Sequence, residues 1–146
     1  MVAAMRGKHY AVAQAACYGV SFIAGFVFGL PIEGSEFSGG SVTGRLMAAQ
    51  DWSLLIFILA LLVTFWFRRV GAALGIVASV LSLPLYLYFV FPRPFQALTG
   101  GIYSMPATRY FAWNSPAVLC VAIAAVTIAV CVKGLAYKSS AAPTRN

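Results

Sequence analysis

Charged residues are scarce in this chain, and acidic residues are the scarcest. Only 9% of the 146 residues are charged, and Asp and Glu together number three. Soluble globular domains carry roughly 25% charged residues. A small domain buries only about two thirds of the surface that its unfolded chain exposes, so a soluble fold has no way to hide so apolar a composition. The composition therefore excludes a free soluble enzyme, a DNA-reading domain and a disordered tail.

Residues that commonly hold metals or haem are also few. His9 is the single histidine, which excludes bis-histidine haem ligation within the chain. The three cysteines lie inside apolar runs and form no C-x-x-C pair; they are Cys17, Cys120 and Cys131. This pattern is not that of a disulfide framework, a zinc site or a redox motif. We therefore predict no metal site, no cofactor and no catalytic residue.

Long apolar runs fill most of the chain. Hydrophobic residues make up 62% of it, and the mean hydropathy is +0.89. About 20 apolar residues are enough for a helix to cross the hydrocarbon core of a bilayer. Four runs have about that length, and the predicted spans are about 10–30, 47–67, 70–91 and 116–137. The pattern predicts an all-α integral membrane protein with four transmembrane helices.

The ends of two spans carry local signals. Pro31 marks the expected end of the first span. Asn114 or Ser115 is the expected N-cap of the fourth span, with Pro116 at its first helical position. We predict one four-helix domain over residues 1–146 that ends in a polar cytoplasmic tail at 138–146.

The distribution of Lys and Arg predicts how the chain crosses the membrane. Seven basic residues and no acidic one flank the spans on one side: Arg6, Lys8, Arg68, Arg69, Lys133, Lys138 and Arg145. The other side has three basic and three acidic residues: Arg45, Arg93, Arg109, Glu33, Glu36 and Asp51. The positive-inside rule places the Lys- and Arg-rich side in the cytoplasm. We expect both termini there, in an antiparallel up-down bundle.

Small residues recur at every fourth position in two of the spans. They are Ala13, Cys17, Ser21, Gly25 and Gly29 in the first span, and Gly71, Gly75 and Ser79 in the third. Small side chains let membrane helices approach closely, so these positions are the predicted helix-packing residues. Packing within the four-helix unit is the favoured interpretation, and dimerisation through the G-x-x-x-G at Gly25 and Gly29 is the alternative.

Ionisable residues are missing from the central part of each predicted span. Such groups usually mark proton relays, ion-coupled transport or voltage sensing, so the pattern is unlike that of a pump acting alone. Pro84 interrupts the third span and predicts a kink there, with Ser82 close enough to bond the carbonyl that the proline frees.

Aromatic residues and two arginines crowd the connection between the third and fourth spans. The candidate ligand- or partner-binding residues are Arg93, Arg109, Tyr86, Tyr88, Tyr103, Tyr110 and Trp113. A loop this aromatic is expected to lie on the outer leaflet or against another protein. Arginines among aromatic rings suit lipid phosphates, a quinone-like headgroup or a partner's carboxylate.

These patterns favour a non-catalytic accessory or structural subunit of a larger membrane complex. A small homo-oligomeric channel or carrier is one alternative, and a lipid- or quinone-binding protein or enzyme at the outer leaflet is another. The expected partners are membrane lipids and other integral membrane subunits, with a homo-oligomer as a further possibility and no nucleic acid. The predicted location is a bacterial inner membrane or a eukaryotic plasma or organelle membrane.

Overall fold

Four helices account for nearly all of the residues that the structure describes. The structure, a computed structural model, describes residues 2–33, 41–91 and 107–136. The helices are α1 (Val2–Glu33), α2 (Ser41–Thr64), α3 (Arg68–Val90) and α4 (Ala107–Ala136). Each contains a segment long and apolar enough to cross a membrane: Lys8–Leu30, Gly44–Thr64, Arg68–Val90 and Asn114–Ala136. The prediction of four apolar helices of membrane-spanning length is confirmed.

The helices pack so that α1 and α3 each contact both α2 and α4, while α1 and α3 touch each other at only a few points. Gln14, in the first half of α1, bonds Thr64 at the end of α2, and Asn114 of α4 bonds carbonyls at the end of α3. We call the end of the bundle with Gln14 and Thr64 the terminal end and the opposite end the far end. The most buried helix is α3, with 44% of its span buried inside the bundle, compared with 22–28% for the other three spans.

Two clusters of buried residues form the core, one above the other. The cluster nearer the terminal end centres on Tyr18 and Phe57, and the cluster nearer the far end centres on Phe28, Tyr86 and Phe89. In the second cluster the ring of Phe28 meets the rings of Tyr86 and Phe89 edge-on, with centroids 5.4 and 5.6 Å apart. Edge-to-face contacts of this kind stabilise aromatic pairs beyond their burial alone.

Two helices extend past the prolines expected at their ends, although the membrane-length segments within them, Lys8–Leu30 and Asn114–Ala136, lie close to the predicted spans. The first helix continues through Pro31 to Glu33. The fourth begins at Ala107, so Pro116 lies inside it and neither Asn114 nor Ser115 is its N-cap. Asn114 instead donates from Nδ2 to the carbonyls of Phe89 (3.3 Å) and Val90 (3.4 Å). Carbonyls in the last turn of a helix have no partner within it, and the Asn114 amide supplies one for the end of α3.

The third helix remains α-helical through Pro84. Proline at position 84 frees the carbonyl four residues earlier, at Val80. The Ser82 hydroxyl does not serve that carbonyl, because it donates to Ser79 O at 3.0 Å. The predicted role of Ser82 beside Pro84 is therefore wrong, although both residues lie in α3 as expected.

Candidate functional site

A tyrosine from α1 lies across glycines of α3 in the terminal half of the bundle. Tyr18 is fully buried, and its hydroxyl donates to Gly71 O at 2.9 Å and contacts Cys131 Sγ at 3.3 Å. A Cβ atom on Gly75 would overlap the Tyr18 ring. The ring therefore occupies the space that a side chain at position 75 would need.

A tyrosine from α3 lies across a glycine of α1 in the far half. Tyr86 is 3% exposed, and its hydroxyl accepts a hydrogen bond from Gln50 Nε2 at 2.9 Å. A Cβ atom on Gly25 would overlap the Gln50 amide and the Tyr86 hydroxyl. The two tyrosine–glycine contacts are thus reciprocal between α1 and α3.

The predicted small-residue row of α1 only partly coincides with its buried face. The buried residues advance in steps of four and three: Gln14, Tyr18, Ser21, Gly25 and Phe28. Four residues turn a helix by about 400°, so a strict every-fourth row drifts around the helix and leaves the interface. Ala13, Cys17 and Gly29 are accordingly only half-buried, and a Cβ on Gly29 would meet nothing. The row on α3 is different, because Gly71, Gly75 and Ser79 are all buried.

Polar side chains link the helices inside the bundle. Thr64 Oγ1 donates to Gln14 Oε1 at 3.2 Å, which joins α2 to α1. The hydroxyls of Ser21 and Thr127, 2.9 Å apart, join α1 to α4. A hydrogen bond between membrane helices contributes about 0.6 kcal/mol on average. These groups therefore act in helix association.

Three buried polar atoms have no hydrogen-bond partner within the described part of the chain: Gln14 Nε2, Gln50 Oε1 and Ser53 Oγ. Gln50 is 2% exposed, and Gln14 and Ser53 are fully buried. Leaving a buried polar atom unpaired costs about 1–3 kcal/mol. Gln50 Oε1 is the atom of interest among the three, because Gln50 lines a cleft.

The cleft lies between α1 and α2 in the far half and has a volume of about 110 Å³. Its walls include Gly25, Gly29, Met47, Gln50, Asp51 and Leu85. Asp51 falls within the predicted second span at 47–67, and the structure places it inside α2, ten residues after the helix begins at Ser41. Its side chain is exposed. The far half therefore has one acidic side chain and one unpaired amide oxygen on the same cleft.

A second, wider groove runs along the outside of the bundle between α1 and α4. It has a volume of about 340 Å³, and its walls include Ala16, Cys17, Val20, Ala122, Val126 and Thr127. Apart from Ile123, which also lines the groove, these side chains are small or short, and most are apolar. The groove is therefore shaped for an apolar chain or a helix rather than for a polar ligand.

Among the residues predicted to bind a ligand or partner, the structure describes the side-chain surroundings of Tyr86 and Tyr88. Tyr86 and Tyr88 belong to α3 and are buried in the bundle, where Tyr88 packs edge-on against Phe89. Arg109, Tyr110 and Trp113 lie in the first two turns of α4. Arg93 and Tyr103 lie outside the described residues. Two of the predicted tyrosines thus belong to the core.

Sequence reasoning missed Gln50, Asp51 and Tyr18. Gln50 and Asp51 stand at the polar start of an apolar run, a pattern typical of a helix end facing solvent. Tyr18 was one of several mildly polar residues within the first span. Only the packing of α1 against its neighbours reveals the contacts of these residues.

Within residues 2–33, 41–91 and 107–136, no three His, Cys, Asp or Glu side chains lie close enough together to hold a metal ion. No protein-family model matches the chain, and neither curated proteins nor solved structures give a significant match.

Proposed function

We propose that this protein is a non-catalytic subunit of a membrane complex and that a transmembrane helix of a partner protein packs into the groove between α1 and α4. The groove is the observation that carries the proposal. Its walls are mostly small side chains, and close approach over small residues is how membrane helices associate. The hydroxyl pair of Ser21 and Thr127 holds α1 and α4 together beside it.

The polar interior supports a structural role. Thr64 donates to Gln14, and Ser21 bonds Thr127, so two separate pairs link helices. Groups engaged in this way hold the bundle together and leave its outer surface apolar, as a subunit surrounded by lipid and other membrane helices requires. The aromatic connection with Arg93 and Arg109 would supply a second contact, at the far end.

We further propose that the terminal end faces the cytoplasm. The basic residues that flank the spans there outnumber those at the far end by seven to three. Lys and Arg in short flanks are retained on the cytoplasmic side during insertion.

The test is to fill the groove and ask whether partners are lost. Ala122 lies in the groove and is exposed, so Ala122→Leu adds volume where the partner helix would pack. We expect recovery of co-purified partner proteins from gently solubilised membranes to fall about tenfold, which corresponds to about 1.4 kcal/mol. Ala73→Leu is the matched control, because Ala73 is also an exposed alanine but lies on α3, outside the groove.

The identity of the purified particle decides between the alternatives. Distinct proteins in fixed ratio, lost in Ala122→Leu and kept in Ala73→Leu, support the proposal. A particle built only of this chain contradicts it and favours the homo-oligomeric channel or carrier. Equal loss of partners in both variants would show that the groove is not the interface.

A further inference from the structure

We infer that the cleft between α1 and α2 binds the primary ammonium group of an amphiphile. This binding site is separate from the α1–α4 groove and does not depend on the subunit proposal. Gln50 and Asp51 both line this cleft, and the space above Gly29 is open.

Gln50 presents an acceptor that the described part of the chain leaves unused. Its Nε2 donates to the Tyr86 hydroxyl at 2.9 Å, while its Oε1 has no partner. The residue is 2% exposed and lines the cleft. A buried carbonyl oxygen without a donor is costly, and a ligand with an N–H group removes that cost.

Asp51 adds a carboxylate to the same cleft. It is exposed, lies inside the span Gly44–Thr64, and forms no ion pair with any other described side chain. An acidic residue within a span is by default a candidate functional group, because its charge needs a partner there. A carboxylate and an amide oxygen are both acceptors, so their shared ligand must donate from a cationic nitrogen.

The depth of the cleft suits a lipid headgroup. Gln50 bonds Tyr86, which lies four residues before α3 ends at Val90, a rise of about 6 Å. Gly25 and Gly29 of the same cleft lie five residues and one residue before the first span ends at Leu30. Gln50 itself lies six residues, about 9 Å, inside the span that begins at Gly44. The cleft thus lies within about 10 Å of the ends of the spans, close to the boundary between headgroups and acyl chains, where an amphiphile's tail can lie among apolar side chains.

Gly29 keeps the cleft open. It lines the cleft, and a Cβ at that position would have no atom within 4 Å. A large side chain at position 29 would therefore occupy the space assigned to the ligand. Gly19, on the same helix, also has open space at its Cβ position but lies outside the cleft, which makes it a matched control.

The experiment compares phosphatidylethanolamine with phosphatidylcholine of identical acyl chains, titrated onto the purified full-length protein and followed by native mass spectrometry. The ethanolamine nitrogen donates three hydrogen bonds, and the trimethylated choline nitrogen donates none. We expect phosphatidylethanolamine to bind about 10- to 100-fold more tightly, the range for one charge-assisted hydrogen bond to a buried group. Equal affinity for the two lipids would overturn the inference, and this comparison needs no variant.

Three variants locate the site. Gly29→Leu is expected to lower the affinity for phosphatidylethanolamine to that for phosphatidylcholine, and Asp51→Asn to reduce the preference in part, because Gln50 Oε1 remains as an acceptor. Gly19→Leu keeps the preference of the unmodified protein. Size-exclusion profiles and helical content, compared among the variants, show that each is folded. Retained preference in both Asp51→Asn and Gly29→Leu would place the lipid elsewhere and overturn the inference.

A soluble amphiphile distinguishes the two sources of a primary ammonium. If dodecylamine displaces phosphatidylethanolamine and dodecyltrimethylammonium does not, the primary ammonium group alone determines binding. Free amines are then ligands as well. Binding of phosphatidylethanolamine without displacement by dodecylamine assigns the site to the intact lipid headgroup. Displacement by both amphiphiles to the same extent would contradict a site that requires N–H donors.

Discussion

At the scale of single residues, two tyrosines and the glycines beneath them set how closely α1 approaches α3. Tyr18 lies over Gly71 and Gly75, and Tyr86 lies over Gly25. Each ring is buried, and each hydroxyl has a hydrogen-bond partner on another helix. A tyrosine can be buried in this way because its hydroxyl is satisfied, and the glycine provides the space for its ring.

Gly75→Ala is expected to destabilise the protein. The new Cβ would overlap the Tyr18 ring, and forced repacking of this kind costs about 1–3 kcal/mol. Gly19→Ala is the control on α1, where a Cβ meets nothing and the gain in helix propensity is up to about 1 kcal/mol. Thermal unfolding in detergent, followed by circular dichroism, should give a lower Tm for Gly75→Ala and an equal or higher one for Gly19→Ala. A Gly75→Ala protein as stable as the unmodified one would show that the ring moves aside without cost.

Residue types predicted some of these contacts and not others. Gly25, Gly71 and Gly75 were singled out because small residues mark the places where helices approach. The residues that pack against these glycines could not be predicted, because a small side chain indicates a close contact but does not identify the ring that makes it. Gln50 and Asp51 were missed for the same reason, because their significance depends on the glycines of a different helix.

At the scale of helices, the contact between α1 and α4 includes a hydrogen bond between two hydroxyls. Ser21 Oγ and Thr127 Oγ1 are 2.9 Å apart, and Thr127 Oγ1 also donates to Ile123 O in its own helix. The bond lies beside the groove assigned to a partner helix. Its strength therefore affects both the fold and the proposed interface.

A double-mutant cycle of Ser21→Ala and Thr127→Ala is expected to show coupling. Hydrogen bonds between membrane helices average about 0.6 kcal/mol in such cycles and reach about 1.7 kcal/mol. Ser21→Ala combined with Ser82→Ala is the control, because Ser82 bonds its own helix at Ser79 O. Those two changes should add to within about 0.3–0.5 kcal/mol when stability is measured by unfolding in denaturing detergent. Additivity for the first pair as well would mean that the two hydroxyls do not stabilise the α1–α4 contact.

Apolar length predicted the existence of the helices, and proline predicted their ends poorly. The first helix runs past Pro31, and the fourth contains Pro116. A proline removes one intrahelical bond, and a helix in an apolar environment keeps its remaining bonds because unpaired backbone groups are costly there. Asn114 was read as a cap of its own helix, whereas its amide serves the end of α3, which only tertiary packing reveals.

At the scale of the whole molecule, four membrane-length apolar helices followed from composition and length alone. The packing order, with α3 the most buried and α1 opposite it, did not, since all four runs are similarly apolar. Orientation rests on the distribution of basic residues and stays a prediction.

Reporter fusions at the C-terminus check that orientation. We expect a green fluorescent protein fused after Asn146 to fluoresce and an alkaline phosphatase at the same position to be inactive, because both results require a cytoplasmic C-terminus. The seven basic residues on that side are the physical reason. An active phosphatase and a dark fluorescent protein would reverse the topology, and with it the leaflet that the α1–α2 cleft faces.

The short turn between α2 and α3 bears on the order in which the molecule assembles. Only residues 65–67 separate Thr64 from Arg68, and Phe67 N donates to Val63 O at 2.8 Å to close the turn. Closing so short a loop costs little chain entropy, and contacts between neighbours in sequence form early. We therefore expect α2 and α3 to pair as a hairpin while the chain is still being synthesised, and this hairpin then becomes the template onto which α1 and the later-made α4 dock.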